Sequence, residues 1–138
     1  AFHVWPFDGR LTELLTRPGI TVAEAYPGEI YGHLKLQIAA SNKSKLNSTH
    51  RKEDAPRLLD WATQNKVQLS AALASDIRDG FGEGADGEDR FDATIGLFGM
   101  LNVIFGHRTS GEPADAVVRR IEGWILGLDA KMLQHPSG

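Results

Sequence analysis

Two aspartates three residues apart, Asp89 and Asp92, open the most apolar stretch of the chain. On a helix this spacing puts both carboxylates on one face of the first turn. Such a pair can hold a divalent ion, and its oxygen ligands suit magnesium or manganese. The same pair also reads as a helix start, with Asp89 as N-cap and Asp92 at the third helical position, favoured by the helix dipole. The two readings are compatible, because a capped end fixes its carboxylates in place. A third acid, Glu24, falls on a strand-like run in which Ile20, Val22, Glu24 and Tyr26 share one face. A carboxylate on an apolar face is costly unless it is paired, hydrogen-bonded or metal-bound, and open α/β sheets place their ligands at strand carboxyl ends. Exposure at the strand end is the plainer account of Glu24.

The charges are segregated along the chain. From His33 to Arg57 six basic residues, among them Lys43, Lys45 and Arg51, oppose only Glu53 and Asp54. From Asp76 to Asp92 seven acids oppose two arginines. A metal-binding acidic patch beside a flexible basic loop suits a phosphodiester substrate, with metal at the scissile phosphate and lysines along the backbone. Solvated loops also carry such runs.

Other chemistries lack support. The five histidines show no paired spacing of the H-x-x-x-H kind, and no cysteine is present. A disulfide framework, a thiolate nucleophile and a cysteine zinc site are therefore excluded, and a cytoplasmic setting fits. No G-x-S-x-G, P-loop or G-x-G-x-x-G occurs, so acyl transfer, NTP hydrolysis and dinucleotide binding have no motif.

The elements that must position these acids follow from periodicity. At 138 residues, 41% hydrophobic and 24% charged with a net charge of −3, the chain reads as one globular domain, 1–138. Phe2 to Trp5 alternates as a strand and Pro6 ends it; Ile20 to Tyr26 is a second strand. Helices are expected from Pro27 to Ile38, from about Asp54 to Asn65, from Ser70 to Gly80, from Asp89 to Gly106, and from Pro113 onward, where Val117, Val118 and Ile121 begin a buried stripe. Residues 40–49 read as a mobile loop, and 134–138 as a disordered tail. The stretch after Asp92 is apolar all round a helical wheel, which predicts a buried helix. It is too short to span a bilayer, which takes roughly 20 apolar residues. Ala93, Gly96 and Gly99 recur as a small stripe that suits close approach to a sheet. Two strands make a poor sheet alone, so the chain reads as the helix-rich half of an α/β domain.

Val22-Ala23-Glu24-Ala25-Tyr26-Pro27, the Lys43 to Arg51 loop, Gly87-Glu88-Asp89-Arg90-Phe91-Asp92-Ala93 and Arg120-Ile121-Glu122-Gly123-Trp124-Ile125 together resemble domain of unknown function family 429. Members of that family are predicted nucleases with an RNase H-like fold. The resemblance runs from Phe2 to about Gly127, and Asp89-x-x-Asp92-Ala93 is also similar to the acidic helix start of Holliday-junction resolvases. It implies Glu24, Asp89 and Asp92 as catalytic carboxylates holding one or two magnesium or manganese ions, with Lys43 or Arg51 on phosphate. It also implies a preceding antiparallel three-stranded unit whose first strand carries a leading aspartate, and no residue here corresponds to that acid. The expectation is thus an incomplete RNase H-like domain of two strands and about five helices. Such a domain is inactive as a nuclease unless a missing N-terminal segment or a second chain supplies the acid. The rival reading is a non-catalytic binding or structural domain that uses the acidic pair only as a cap. Open strand edges also invite self-association.

Overall fold

A computed structural model describes residues 1–129; the expected tail at 134–138 lies outside the described residues. The protein is mixed α/β, mostly helical, with two parallel strands. The chain divides into two compact units, one of Ala1–Tyr26 with the described part of Phe98–Gly138, the other Pro27–Leu97.

The first unit is built on β1 (Phe2–Val4) and β2 (Ile20–Val22), joined through a short α1 (Leu11–Leu14). The strands run parallel, with Phe2 opposite Ile20 and Val4 opposite Val22. β2 is shorter than the expected strand to Tyr26, but Glu24 continues its line through a parallel bridge to Ile125, where Leu126 N donates to Glu24 O at 2.8 Å. Trp5, Leu11, Leu14, Val103 and Leu126 form the core of this unit, with Ala23, Met100 and Trp124 against it. The Trp5 indole donates to Glu112 Oε2 at 2.8 Å, which anchors the connection that follows α6 (Asp86–Ile104) beside the end of β1. Asp8 takes both backbone groups of Val4: its Oδ2 accepts from Val4 N at 2.6 Å and its own N donates to Val4 O at 2.9 Å. Phe2, Val4, Ile20 and Val22 are all exposed, so the sheet keeps one apolar face toward solvent.

The last helix differs from expectation. α7 (Ala116–Glu122) starts after Asp115, whose carboxylate caps Val117 N at 2.7 Å, and not at Pro113. Its apolar stripe is not buried: Val117 is 62% and Ile121 74% exposed. Gly123 stops the helix at a φ of 70°, where a Cβ would meet the Phe7 ring at 2.8 Å.

The second unit is helical, with α2 (Pro27–His33), a 3-10 turn (Gln37–Ala39), α3 (Ser48–Glu53), α4 (Ala55–Gln64), α5 (Ala71–Arg78) and the first part of α6. α3 packs against the 3-10 turn, α4 and α5, so the end of the segment read as a mobile loop, Ser48 and Thr49, belongs to a packed helix. Asp54 is buried where α3 meets α4 and accepts from Gln37 N at 2.6 Å and Ile38 N at 2.9 Å. α2 ends five residues before the expected Ile38. Leu36 N closes on Tyr31 O at 2.9 Å and Lys35 N on Gly32 O at 3.1 Å, with Lys35 itself at a φ of 56°. That is a Schellman ending with lysine in the left-handed position that usually takes glycine.

α6 is longer than predicted and is not buried all round. Phe91, Ile95 and Phe98 are fully enclosed, but Leu97 is 48% and Ile104 52% exposed. Two members of the small stripe make no close seam, since a Cβ on Gly96 would meet nothing within 4 Å and Ala93 is exposed, whereas Gly99 is buried. Among the described residues no helix is long and apolar enough to cross a membrane. Leu14, wholly enclosed in the first unit, sets a test of that core: Leu14→Ala should lower the unfolding free energy by about 2–5 kcal/mol in urea titrations. Leu46→Ala, at a residue 72% exposed, should change it by less than about 0.5 kcal/mol.

Candidate functional site

The acidic opening of α6 is set by a glycine. A Cβ on Gly87 would lie 2.7 Å from Arg51 Nη2 and 2.9 Å from the carbonyl oxygens of Phe81 and Gly82. Only glycine lets the first turn press onto these groups. The helix therefore begins at Asp86, three residues before the expected N-cap, and Asp89 lies inside the first turn. The earlier start leaves the spacing of the acids around the helix unchanged, but it is Glu88 and not Asp89 that joins Asp92 at the basic loop. Glu88 and Asp92, one helical turn apart, converge on a single cation: Lys45 Nζ lies 2.7 Å from Glu88 Oε1 and 2.5 Å from Asp92 Oδ2. Asp89, roughly 100° around the helix from Glu88, is exposed.

The other oxygen of Asp92 accepts from the Tyr31 hydroxyl of α2. Tyr31 is steadied by Phe91, whose ring centroid is 5.9 Å away, and Phe91 meets Phe81 edge-on at 6.0 Å. Both Asp92 oxygens are thus engaged, one by a phenol and one by an ammonium.

Lys45 is held from its backbone as well. Arg51 of α3, 1% exposed, sends Nη1 to Lys45 O, Nε to Gly80 O at 2.7 Å and Nη2 to Gly82 O at 2.6 Å. The guanidinium meets only carbonyls among these contacts, so Arg51 organises the loop and the turn before α6. Lys43, by contrast, sits on the surface of the same loop, 2.5 Å from Glu53. The hydrogen bond from Lys43 holds the Glu53 carboxyl below its usual range.

The expected residues separate as follows. Asp92 is the centre of the cluster, Asp89 lies beside it, and Lys43 and Arg51 flank the loop that carries Lys45. Glu24 is exposed and belongs to the other unit. Glu88, Lys45 and Tyr31 were not singled out by spacing. The i, i+4 relation of Glu88 to Asp92 was visible, but the helix start that makes it relevant depends on Gly87 pressing against Arg51.

Among the described residues no group of three or more histidine, aspartate or glutamate side chains that could hold a metal comes together. The fit to a divalent ion rests instead on two carboxylates already arranged around one positive charge, with the Lys45 ammonium standing at the cation position. Magnesium is commonly held by one or two carboxylates together with substrate phosphates. Glu88 and Asp92 supply two carboxylates, and the Lys45 ammonium takes the place between them.

Hydrogen bonds from Lys45 to Asp92 first, and to Glu88 second, hold its ammonium protonated well above the usual 10.5. A folded-state value above the unfolded one contributes stability that is complete below the unfolded value and is lost as pH rises through the folded one. The stability difference between wild type and Lys45→Met should therefore be flat from about pH 6 to about pH 9 and shrink only in strong alkali. Thermal melts across pH check this. Arg51→Met removes the donors of three carbonyls and should lower the unfolding free energy by about 3–5 kcal/mol. Arg51→Lys should not recover it, because one ammonium cannot reproduce the planar fork.

Compared with known proteins, the chain matches no family model, no curated sequence and no solved structure.

Proposed function

We propose that this chain is part of a metal-dependent phosphodiesterase of RNase H type, acting on nucleic acid. The observation that carries the reading is the convergence of Glu88 and Asp92 on one cation position at the mouth of α6, beside a loop bearing Lys43 and Lys45. The resemblance to family 429 supplies the reaction class and adds Asp89 as a further carboxylate toward magnesium or manganese.

In this reading Asp92 and Glu88 hold the metal, and Tyr31 orients the Asp92 carboxylate through its hydroxyl. Lys43 and Lys45 meet the phosphate backbone. Arg51 fixes the carbonyl of Lys45 and so the position of the loop. When bound, the metal supplies an activated water and steadies the leaving oxygen. A cytoplasmic setting accords with the absence of cysteine.

A second reading, a non-catalytic binding or structural domain, is favoured by one observation: Lys45 already bridges the acid pair. Cleavage of labelled single-stranded and duplex DNA and RNA by the product of the full reading frame separates the two. The expected result is magnesium- or manganese-dependent cleavage that Asp92→Asn reduces by about 100-fold or more, in line with loss of a group acting on transition-state charge. No cleavage of any of the four substrates favours the second reading, and metal-independent cleavage overturns both.

A further inference from the structure

β2 is bonded along one edge only. Ile20 N donates to Ala1 O at 3.0 Å and Val22 O accepts from Trp5 N at 2.8 Å, so both residues turn their backbone groups toward β1. Glu24, two residues on, faces the same way and accepts from Leu126 N. Successive residues of a strand bond to opposite sides, so Thr21 and Ala23 turn their N–H and C=O groups to the other edge. Among the described residues no strand lies there.

A pocket of about 270 Å³ opens along that edge. It touches Thr21, Val22 and Ala23 in succession, residues whose side chains alternate between faces, and none of the described residues of β1 lines it. Its other walls are aliphatic: Leu11 and Leu15 at α1, Met100 and Ile104 of α6, and Leu126. Leu15, Val22 and Ile104 stand about half exposed at the rim. An extended backbone would satisfy the edge, and apolar side chains beside it would fill the pocket.

The two edges of the sheet are treated differently. On β1 the outward groups of Val4 are both taken by Asp8, which blocks pairing with another strand. β2 has no such device among the described residues, and from Ile20 to Ala23 it carries neither charge nor proline. Charge enters only beyond its ends, with Arg17 before and Glu24 after, both exposed. Antiparallel pairing with the β2 of a second copy brings the Arg17 end of each against the Glu24 end of the other; parallel pairing sets like ends together. A two-fold axis at Val22 then places Thr21 opposite Ala23 of the second copy, and the reverse, so the outward groups of both residues are met. The axis stands normal to the sheet, so α1 and α6 of both copies fall on one side and their Leu15 and Ile104 rims face each other.

We propose that the outer edge of β2 is a self-association surface, on which two copies of this chain pair antiparallel about Val22 into one continuous sheet and close the pocket beside it. The surface lies in the unit that does not hold Glu88 and Asp92, and it does not depend on their role.

The test is sedimentation equilibrium of the intact chain over a range of concentrations. Wild type should show a monomer–dimer equilibrium. Val22→Lys and, separately, Val22→Asp set like charges across the axis and should each raise the dissociation constant by about 10-fold or more. Ile104→Glu, which leaves the strand untouched, should weaken association by placing a charge at the rim. Circular dichroism should show each variant folded, since Val22 and Ile104 are exposed. An equimolar mixture of the Val22→Lys and Val22→Asp chains should associate more tightly than either alone, because opposite charges then meet at the axis. A wild type that stays monomeric up to about 1 mM overturns the proposal. So does a dimer indifferent to all three substitutions, or a mixture no tighter than its components.

Discussion

A single buried guanidinium holds the second unit in the form that matters for its chemistry. Arg51 reaches the carbonyls of Lys45, Gly80 and Gly82 from the interior of α3. Moving a charge out of water is expensive unless its hydrogen-bonding capacity is met, and here oriented peptide dipoles meet it. The arrangement joins three stretches distant in sequence: the basic loop, the turn after α5, and the first turn of α6, which reaches Arg51 through the bare backbone of Gly87.

The geometry at the mouth of α6 follows from this constraint. Because the helix begins at Asp86, Glu88 and Asp92 face the loop, and because the loop is pinned at Lys45, the lysine lies between them. Tyr31 completes the set from α2. The cluster contains two acids, one base and one phenol, and each of its contacts is assisted by charge. Charge-assisted bonds are roughly twice as strong as neutral ones, but the pairs here are partly exposed to water. Their value lies in orientation more than in stability.

The acidic pair illustrates how a helix cap and a cation site shade into one another. Acids in the first turn suit the helix dipole whatever else they do. What distinguishes Asp92 from its neighbours is that both its oxygens have named partners, one of them a positive charge shared with a second acid. Asp89, which the spacing singled out equally, has no such placement. Glu24 illustrates the opposite case. Its face of β2 looks apolar in sequence, yet Ile20, Val22 and Tyr26 on that face are exposed, so its carboxylate bears no burial cost that a metal would need to relieve.

Local chemistry settled much of the element order. Alternation marked β1 and β2, Ser70 marked the start of α5, and Gly80 and Gly106 marked helix ends because glycine enters left-handed backbone freely. The end at Lys35 was not legible, since it adopts that backbone as a lysine, at a φ of 56°. Nor was the exposure of Leu97, Val117 and Ile121, because periodicity reports which residues share a face and not what lies opposite it. The sequence by itself determined the mixed α/β character, the segregation of charge and the acidic opening of α6. Only the tertiary structure decided that Glu88 is the partner of Asp92 and Lys45 their shared cation. That choice depends on the rotation and start of α6, which a contact with Arg51, far away in the chain, imposes from outside the helix.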